Sequence, residues 1–232
     1  MKYCFLEWDS RFFGMHVARV TVDDEMNATS LYECLELCEA DVIYVFINSK
    51  NAEQYRPVLE RFSGKCYDRK VTFGKTVDPG LVGCEPTIAK ATSDSEALLQ
   101  LAYASGRLSR FSLDPRFQPH FKPLYAEWVR KSLMGQNSKV FTIFDTQRLV
   151  GMVTASIDDG IGRIGLIAID EGSRGRGLGM RLLMRCESYY NNNSVRICKV
   201  VTQRDNIAAC KLYQKAGYMI ENEQDVWHIW KI

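Results

Sequence analysis

Between an apolar, strand-like stretch and a helix-like one lies the run Arg174-Gly175-Arg176-Gly177-Leu178-Gly179. The start of a helix leaves backbone N–H groups unpaired and carries a partial positive charge. Together these attract phosphate. Glycines let the backbone approach a ligand without interference from Cβ, and Arg174 and Arg176 add full charges at the same mouth. Two phosphate loops do not fit. Met180 and Arg181 follow where a P-loop needs Lys and Ser/Thr. The glycine spacing is G-x-G-x-G, late in the chain, where a dinucleotide fingerprint needs G-x-G-x-x-G. A tight turn that the glycines merely permit is the bland alternative.

Asn206 and Tyr213 form a second pair. They stand seven residues apart on a helical pattern, almost two turns, and so face roughly the same side. Asn206 is also a natural N-cap. The histidines His16, His120 and His228 show no pairing that suggests nucleophilic catalysis. The eight cysteines contain no C-x-x-C pair and no histidine at metal-ligand spacing, so reduced thiols and no metal are expected.

These residues need a frame. The C-terminal part reads as helix 93–108, helix 121–134, a hairpin of strands 139–144 and 149–157, strand 163–169, a helix with Leu178, Leu182, Cys186 and Tyr189 on one face, strand 196–202, helix 207–216 ended by Gly217, and strand 226–231. The order β-β-β-α-β-α-β predicts an α/β fold with a mixed sheet and helices on its faces. Two prolines and two glycines between Val77 and Pro86 read as a linker. It divides the chain into a small domain, 1–80, and a larger one, 85–232. The small domain echoes the ending: strand 42–47, helix 51–62, strand 66–73. Aligning Asn51 on Asn206 puts Val58 where the later copy has Tyr213.

Composition narrows the classes. An apolar share of 46% and a charged share of 25% are those of a soluble globular protein. A net charge of +2 gives no basis for nucleic-acid binding. No apolar run is long enough to span a membrane, and the first nine residues carry charge too early for a signal peptide, so a cytoplasmic location is expected.

The two motifs together resemble a known family. Arg174-x-x-Gly177-x-Gly179 is similar to the pyrophosphate signature R/Q-x-x-G-x-G/A of the GNAT acetyltransferases. Asn206 to Tyr218, NIAACKLYQKAGY, resembles that superfamily's N-x-x-A-x-x-L-Y-x-x-x-G-F/Y. This likeness covers about residues 85–232. A longer likeness, carried by Leu6 to Gly14, Ser109-Arg110-Phe111 and Ala126-Glu127-Trp128, is to the bacterial TDP-fucosamine acetyltransferases, which pair a small front domain with a GNAT domain. The turn here is longer and richer in arginine than that likeness implies.

The resemblance implies a GNAT fold with a front domain resembling a degenerate half-copy, and acetyl-CoA as co-substrate. It implies a strand 164–170 splayed from its neighbour, whose backbone at Leu166, Ile167 and Ala168 holds the pantetheine and polarises the acetyl carbonyl. A fully paired core strand would look the same in sequence. Arg174, Gly175, Arg176, Gly177, Leu178 and Gly179 would cradle the pyrophosphate, and Asn206 would cap its helix, contact pantetheine, or both. Tyr213 is the expected general acid; a phenol of pKa near 10 facing a thiol near 8.5 makes that transfer mildly uphill. Asp68, on the last front-domain strand, is the expected base, acting through water, although a sugar amine needs a base little. The acceptor would be the amine of a TDP-linked amino-dideoxy sugar destined for surface polysaccharide, lined by Trp8, Asp9, Phe12, Arg110, Phe111 and His120. Another amine (a protein N-terminus, polyamine or aminoglycoside) and a non-catalytic acyl-CoA binder are the alternatives. The aromatic ending Val226 to Trp230 could pair across a homodimer or be covered internally.

Overall fold

The computed structural model describes residues 3–78 and 96–231. Most of the expected linker, Cys84 and the start of the expected 93–108 helix lie outside the described residues. In chain order the elements are β1 (Tyr3–Phe5), α1 (Glu7–Phe13), β2 (Val17–Thr21), α2 (Ala28–Leu37), β3 (Val42–Asn48), α3 (Ala52–Arg61), β4 (Lys65–Thr76), α4 (Glu96–Ser105), α5 (Arg110–Leu113), α6 (Phe121–Met134), β5 (Ser138–Asp145), β6 (Arg148–Asp158), β7 (Ile161–Ile169), α7 (Leu178–Asn192), β8 (Ile197–Gln203), α8 (Ile207–Lys215) and β9 (Met219–Trp230). They form two compact units. The first comprises Met1–Val71, Gln203–Asp205 and Asn222–Ile232; the second comprises Thr72–Thr202 and Asn206–Glu221. The division runs inside β4, after Val71, and gives the end of the chain to the first unit, where the sequence suggests a cut near residue 80.

In the first unit β1 pairs antiparallel with β2, β2 parallel with β3, and β3 antiparallel with β9. One face carries Ala18, Val20, Ile43, Val45, Ile47, Trp227 and Ile229, and buries them with Leu31, Leu35 and Leu59 of α2 and α3. Helix α2 starts because the Asn27 side chain accepts from the Ser30 N–H at 2.9 Å. On the other face the buried His228 ring lies 4.9 Å from Tyr44 and 5.2 Å from Tyr67. Strand β9 sits between β3 and β4, and Val226, Trp227, His228 and Ile229 are buried. Its aromatic ending is thus covered internally and is not a free edge for a second copy. The run β3–α3–β4 repeats the order of β8–α8–β9, although Asn51, unlike Asn206, makes no side-chain cap.

In the second unit the strand order is β4-β8-β7-β6-β5. Strands β5, β6 and β7 are antiparallel neighbours, and β7 runs parallel to β8. Helices α4 and α6 cover one face through Leu98, Leu101, Ala102 and Val129, which pack on Val140, Met152 and Ala168. Helix α7 covers the other face through Leu178, Leu182, Leu183, Cys186 and Tyr190. Tyr190, not the expected Tyr189, completes that buried face. It fits because Gly162 has no side chain: a Cβ there would meet the Tyr190 ring at 2.7 Å. The polar first half of β9, Glu221 to Gln224, is strand as well, because ladder pairing such as Asn48 with Gln224 outweighs its weak β-propensity.

Candidate functional site

The site begins where β7 changes partners. Ile161 to Ile164 pair with Ile197 to Val200 of β8, and the pairing stops there. On its other side β7 stays bound to β6 as far as Ile169, but with a bulge: Val153 and Ala155 face Ile167 and Ile164, so β7 carries one extra residue. Beyond the bulge the Asp170 N–H donates to the Val150 carbonyl at 2.8 Å. Peptide groups alternate along a strand, so those of Ala168 face β6 while those of Ile167 and Ile169 face the open side. The Leu166 N–H is not free. It donates to the Thr154 hydroxyl at 2.8 Å. Of the three expected backbone contacts, Ile167 therefore has the exposed amide, and Ala168 and Leu166 do not.

The strand runs through a 3-10 turn, Glu171–Ser173, into the glycine-rich run. Gly175 and Gly177 have φ of +76° and +75°, a region costly for any residue with a Cβ. Gly177 is the N-cap of α7, with no side chain capping it. The first bond of the helix runs from the Arg181 N–H to the Gly177 carbonyl, so the amides of Leu178, Gly179 and Met180 lie ahead of the helical ladder. At Gly179 a Cβ would lie 3.0 Å from Leu212 of α8, so this glycine sets how closely the two helices approach. The two arginines of the run differ. Arg174 donates to the Ile169 carbonyl at 3.2 Å. Arg176 pairs with Asp145 at 2.6 Å, and this pairing holds the Asp145 carboxyl below its usual range.

One cavity of about 860 Å³ joins these parts. Ile167, Ala168, Arg174, Gly175, Gly177, Leu178, Gly179 and Asn206 line it; Leu166 and Arg176 do not. Sequence reasoning missed Arg107, Arg181 and Lys215 on its wall. With Arg174 they make four cations, and no carboxylate is among the lining residues. Lys215 follows Ala208, Ala209 and Leu212 at helical spacing, a signal readable once α8 is placed; Arg107 offered none.

The Asn206 side chain accepts from the Ala209 N–H at 3.2 Å, so it is the cap of α8 as well as part of the wall. Tyr213 is not a lining residue. It is 2% exposed, packed 5.5 Å from the Phe73 ring and 6.1 Å from Tyr218, and burial pushes its phenol above the ordinary range. Lys75 pairs with buried Glu187 at 2.8 Å and donates to the Ala216 carbonyl, also at 2.8 Å, just past the end of α8.

The expected acceptor residues fall in different units. In the first, Trp8 and Phe12 of α1 stack at 5.2 Å with rings 14° apart, and Asp9 sits on the same helix. Asp68 is half-buried on β4, and its carbonyl accepts from the Cys66 thiol. Burial raises that thiol to about 11. In the second unit Phe111 is buried, edge-on to Phe117 and Trp128. It is 6% exposed, on the single turn of α5. Arg110 lies 4.5 Å over the Phe111 ring, and His120 ends a short 3-10 helix. Among the described residues no group of three or more His, Cys, Asp or Glu is placed to hold a metal, and no helix is long and apolar enough to cross a membrane.

A model of the Acetyltransferase (GNAT) family matches residues 103–218. The spore coat polysaccharide biosynthesis protein SpsD of Bacillus subtilis is 25% identical over 138 residues, 59% of this chain but only 48% of SpsD. The dTDP-fucosamine acetyltransferase of Escherichia coli O6:H1 is 25% identical over 223 residues, 94% of this chain and 93% of that protein. A GCN5-related N-acetyltransferase from Sphaerobacter thermophilus superposes with a TM-score of 0.60 at 13% identity, covering 97% of this chain and 75% of that one.

Proposed function

Because the chain belongs to the GNAT acetyltransferase family, we propose that it transfers the acetyl group of acetyl-CoA to the amine of a nucleotide-linked amino-dideoxy sugar. Acetyl-CoA supplies an activated acyl thioester. The cavity suits it on two grounds: the uncapped helix start with four surrounding cations matches its phosphates, and the open edge of β7 matches its amide-bearing arm. Arg174, Gly175, Gly177 and the first amides of α7 hold the pyrophosphate. Ile167 offers its N–H to the carbonyl oxygen as charge builds on it. Asn206 keeps its side-chain amide N–H groups for the arm, since its oxygen is committed to the cap. Arg176, tied to Asp145, is left outside this set.

Tyr213 is the proposed donor to the departing sulfur. Its raised pKa keeps it protonated but makes full proton transfer more uphill than its sequence suggests, so its contribution is a hydrogen bond that strengthens as charge develops. Tyr213→Phe is expected to lower kcat about 10- to 100-fold, the worth of one hydrogen bond to a charged atom, with CoA affinity unchanged. Unchanged turnover would make Tyr213 a packing residue against Phe73 and Tyr218. Asp68 is the proposed base, acting through water.

The observation that carries the acceptor class is the likeness to dTDP-fucosamine acetyltransferase, which extends over 94% of the chain and so includes the first unit. Trp8, Asp9, Phe12, Arg110 and His120 are the proposed acceptor contacts; the buried Phe111 would support Arg110 from below. The test is thiol release from acetyl-CoA against TDP-linked amino sugars, free amino sugars, polyamines and N-terminal peptides. A TDP-linked 4-amino-4,6-dideoxyhexose should be the fastest acceptor. Faster turnover of a polyamine or peptide would sink the sugar reading and leave the acetyltransferase standing.

A further inference from the structure

The bulge in β7 is held by a side chain, and no feature of the sequence marked it. Val153 and Ala155 are matched to Ile167 and Ile164, so Thr154 stands alone opposite both Gly165 and Leu166. At this irregularity the Leu166 N–H turns to a side chain. The Thr154 hydroxyl accepts from this N–H at 2.8 Å, and Thr154 is only 5% exposed. Gly165 completes the arrangement, because a Cβ there would lie 2.6 Å from the same hydroxyl oxygen.

The consequence reaches the cavity. Before the bulge Ile164 shares a face with Ala155; after it, Ile167 shares that face with Val153. One extra residue has thus shifted the alternation, and this shift turns the Ile167 peptide toward the open side and Ala168 into the core beside Met152. We propose that Thr154 is a positioning residue: by accepting from the Leu166 N–H it fixes the bulge, and so aims the Ile167 amide at the acyl carbonyl. The role rests on the reading above that the open edge of β7 receives the thioester end of acetyl-CoA.

The test uses coenzyme A as probe and hydrogen exchange over residues 164–170 as a readout that needs no acceptor. Wild-type protein should gain protection there on binding CoA. Thr154→Val, nearly isosteric, should bind CoA within about threefold of wild type, because the glycine turn is untouched. It should show weaker CoA-induced protection at 164–170, and its kcat should fall about tenfold, the size of one lost hydrogen bond. Thr154→Ser, which keeps the hydroxyl, should restore both, and Gly165→Ala should resemble the valine variant. A purely structural role would lower the melting temperature of Thr154→Val and leave kcat and protection in place, which overturns the proposal. So would a serine variant that rescues neither. A wild type that binds CoA without protection at 164–170 would overturn the reading of the β7 edge, and the positioning role with it.

Discussion

Lys75→Met protein should melt roughly 6–20 °C below the wild type. Glu187 is 2% exposed, and its carboxylate meets the Lys75 amine at 2.8 Å. Removing the lysine strands a charge in the core, which costs about 3–5 kcal/mol where a pair is broken from one side. In a chain of this size each kcal/mol shifts the melting point by about 2–4 °C. The same amine donates to the Ala216 carbonyl, so the substitution also loosens the end of α8 that carries Lys215 of the cavity wall. CoA affinity should fall with stability. Lys199 and Glu221 supply the control. Their pair is as short, 2.7 Å, but about a third of each side chain is in solvent. Lys199→Ala should cost no more than about 1 kcal/mol. Thermal melting of both variants with and without CoA checks this, and equal shifts for the two lysines would refute it.

That buried pair was invisible in the sequence for a physical reason. Lys75 lies on β4 and Glu187 on α7, and nothing local joins them. The hairpin of β5 and β6, the helix at 121–134 and the glycine at 217 were legible because each is set by short-range rules: alternation, helical period and a positive φ of +84° at Gly217. The glycine turn and the Asn206 cap were legible for the same reason. Elements β1, α1 and β2 carry little local signal, since they are short and held by tertiary contacts such as the parallel pairing of Ala18 with Ile43; α2 has a local signal in its Asn27 cap that sequence reasoning missed. The splay of β7 is implied by the family likeness and not by the residues themselves. An apolar run looks identical whether or not it is paired, and the loss of β8 after Ile164 leaves no mark in its composition. The Pro/Gly-rich run near residue 80 is a local signal, whereas the return of β9 beside β3, which brings the end of the chain into the first unit, is not.

The two arginines of the turn show the same limit and give the sharpest test of the proposed cofactor site. In sequence Arg174 and Arg176 are equivalent: both flank Gly175, and both add charge near the start of α7. In the folded chain Arg176 reaches away to Asp145 and is absent from the cavity wall. Arg174 lines the cavity and is braced by the Ile169 carbonyl. Of the two, only Arg174 lines the cavity proposed for the pyrophosphate. A hydrogen bond to a charged group is worth about 1.5–3 kcal/mol, so Arg174→Ala should weaken CoA binding about 10- to 100-fold. Arg176→Ala, which breaks an exposed pair, should change it by less than about threefold. Salt separates them further. Raising ionic strength should weaken CoA binding to the wild type and to Arg176→Ala in parallel, and weaken Arg174→Ala less, because one of four cavity cations is already gone. Titration calorimetry with CoA at two salt concentrations reads both effects. If Arg176→Ala proves the weaker binder, the pyrophosphate does not lie over the start of α7 as placed here, and the assignment of the turn falls with it.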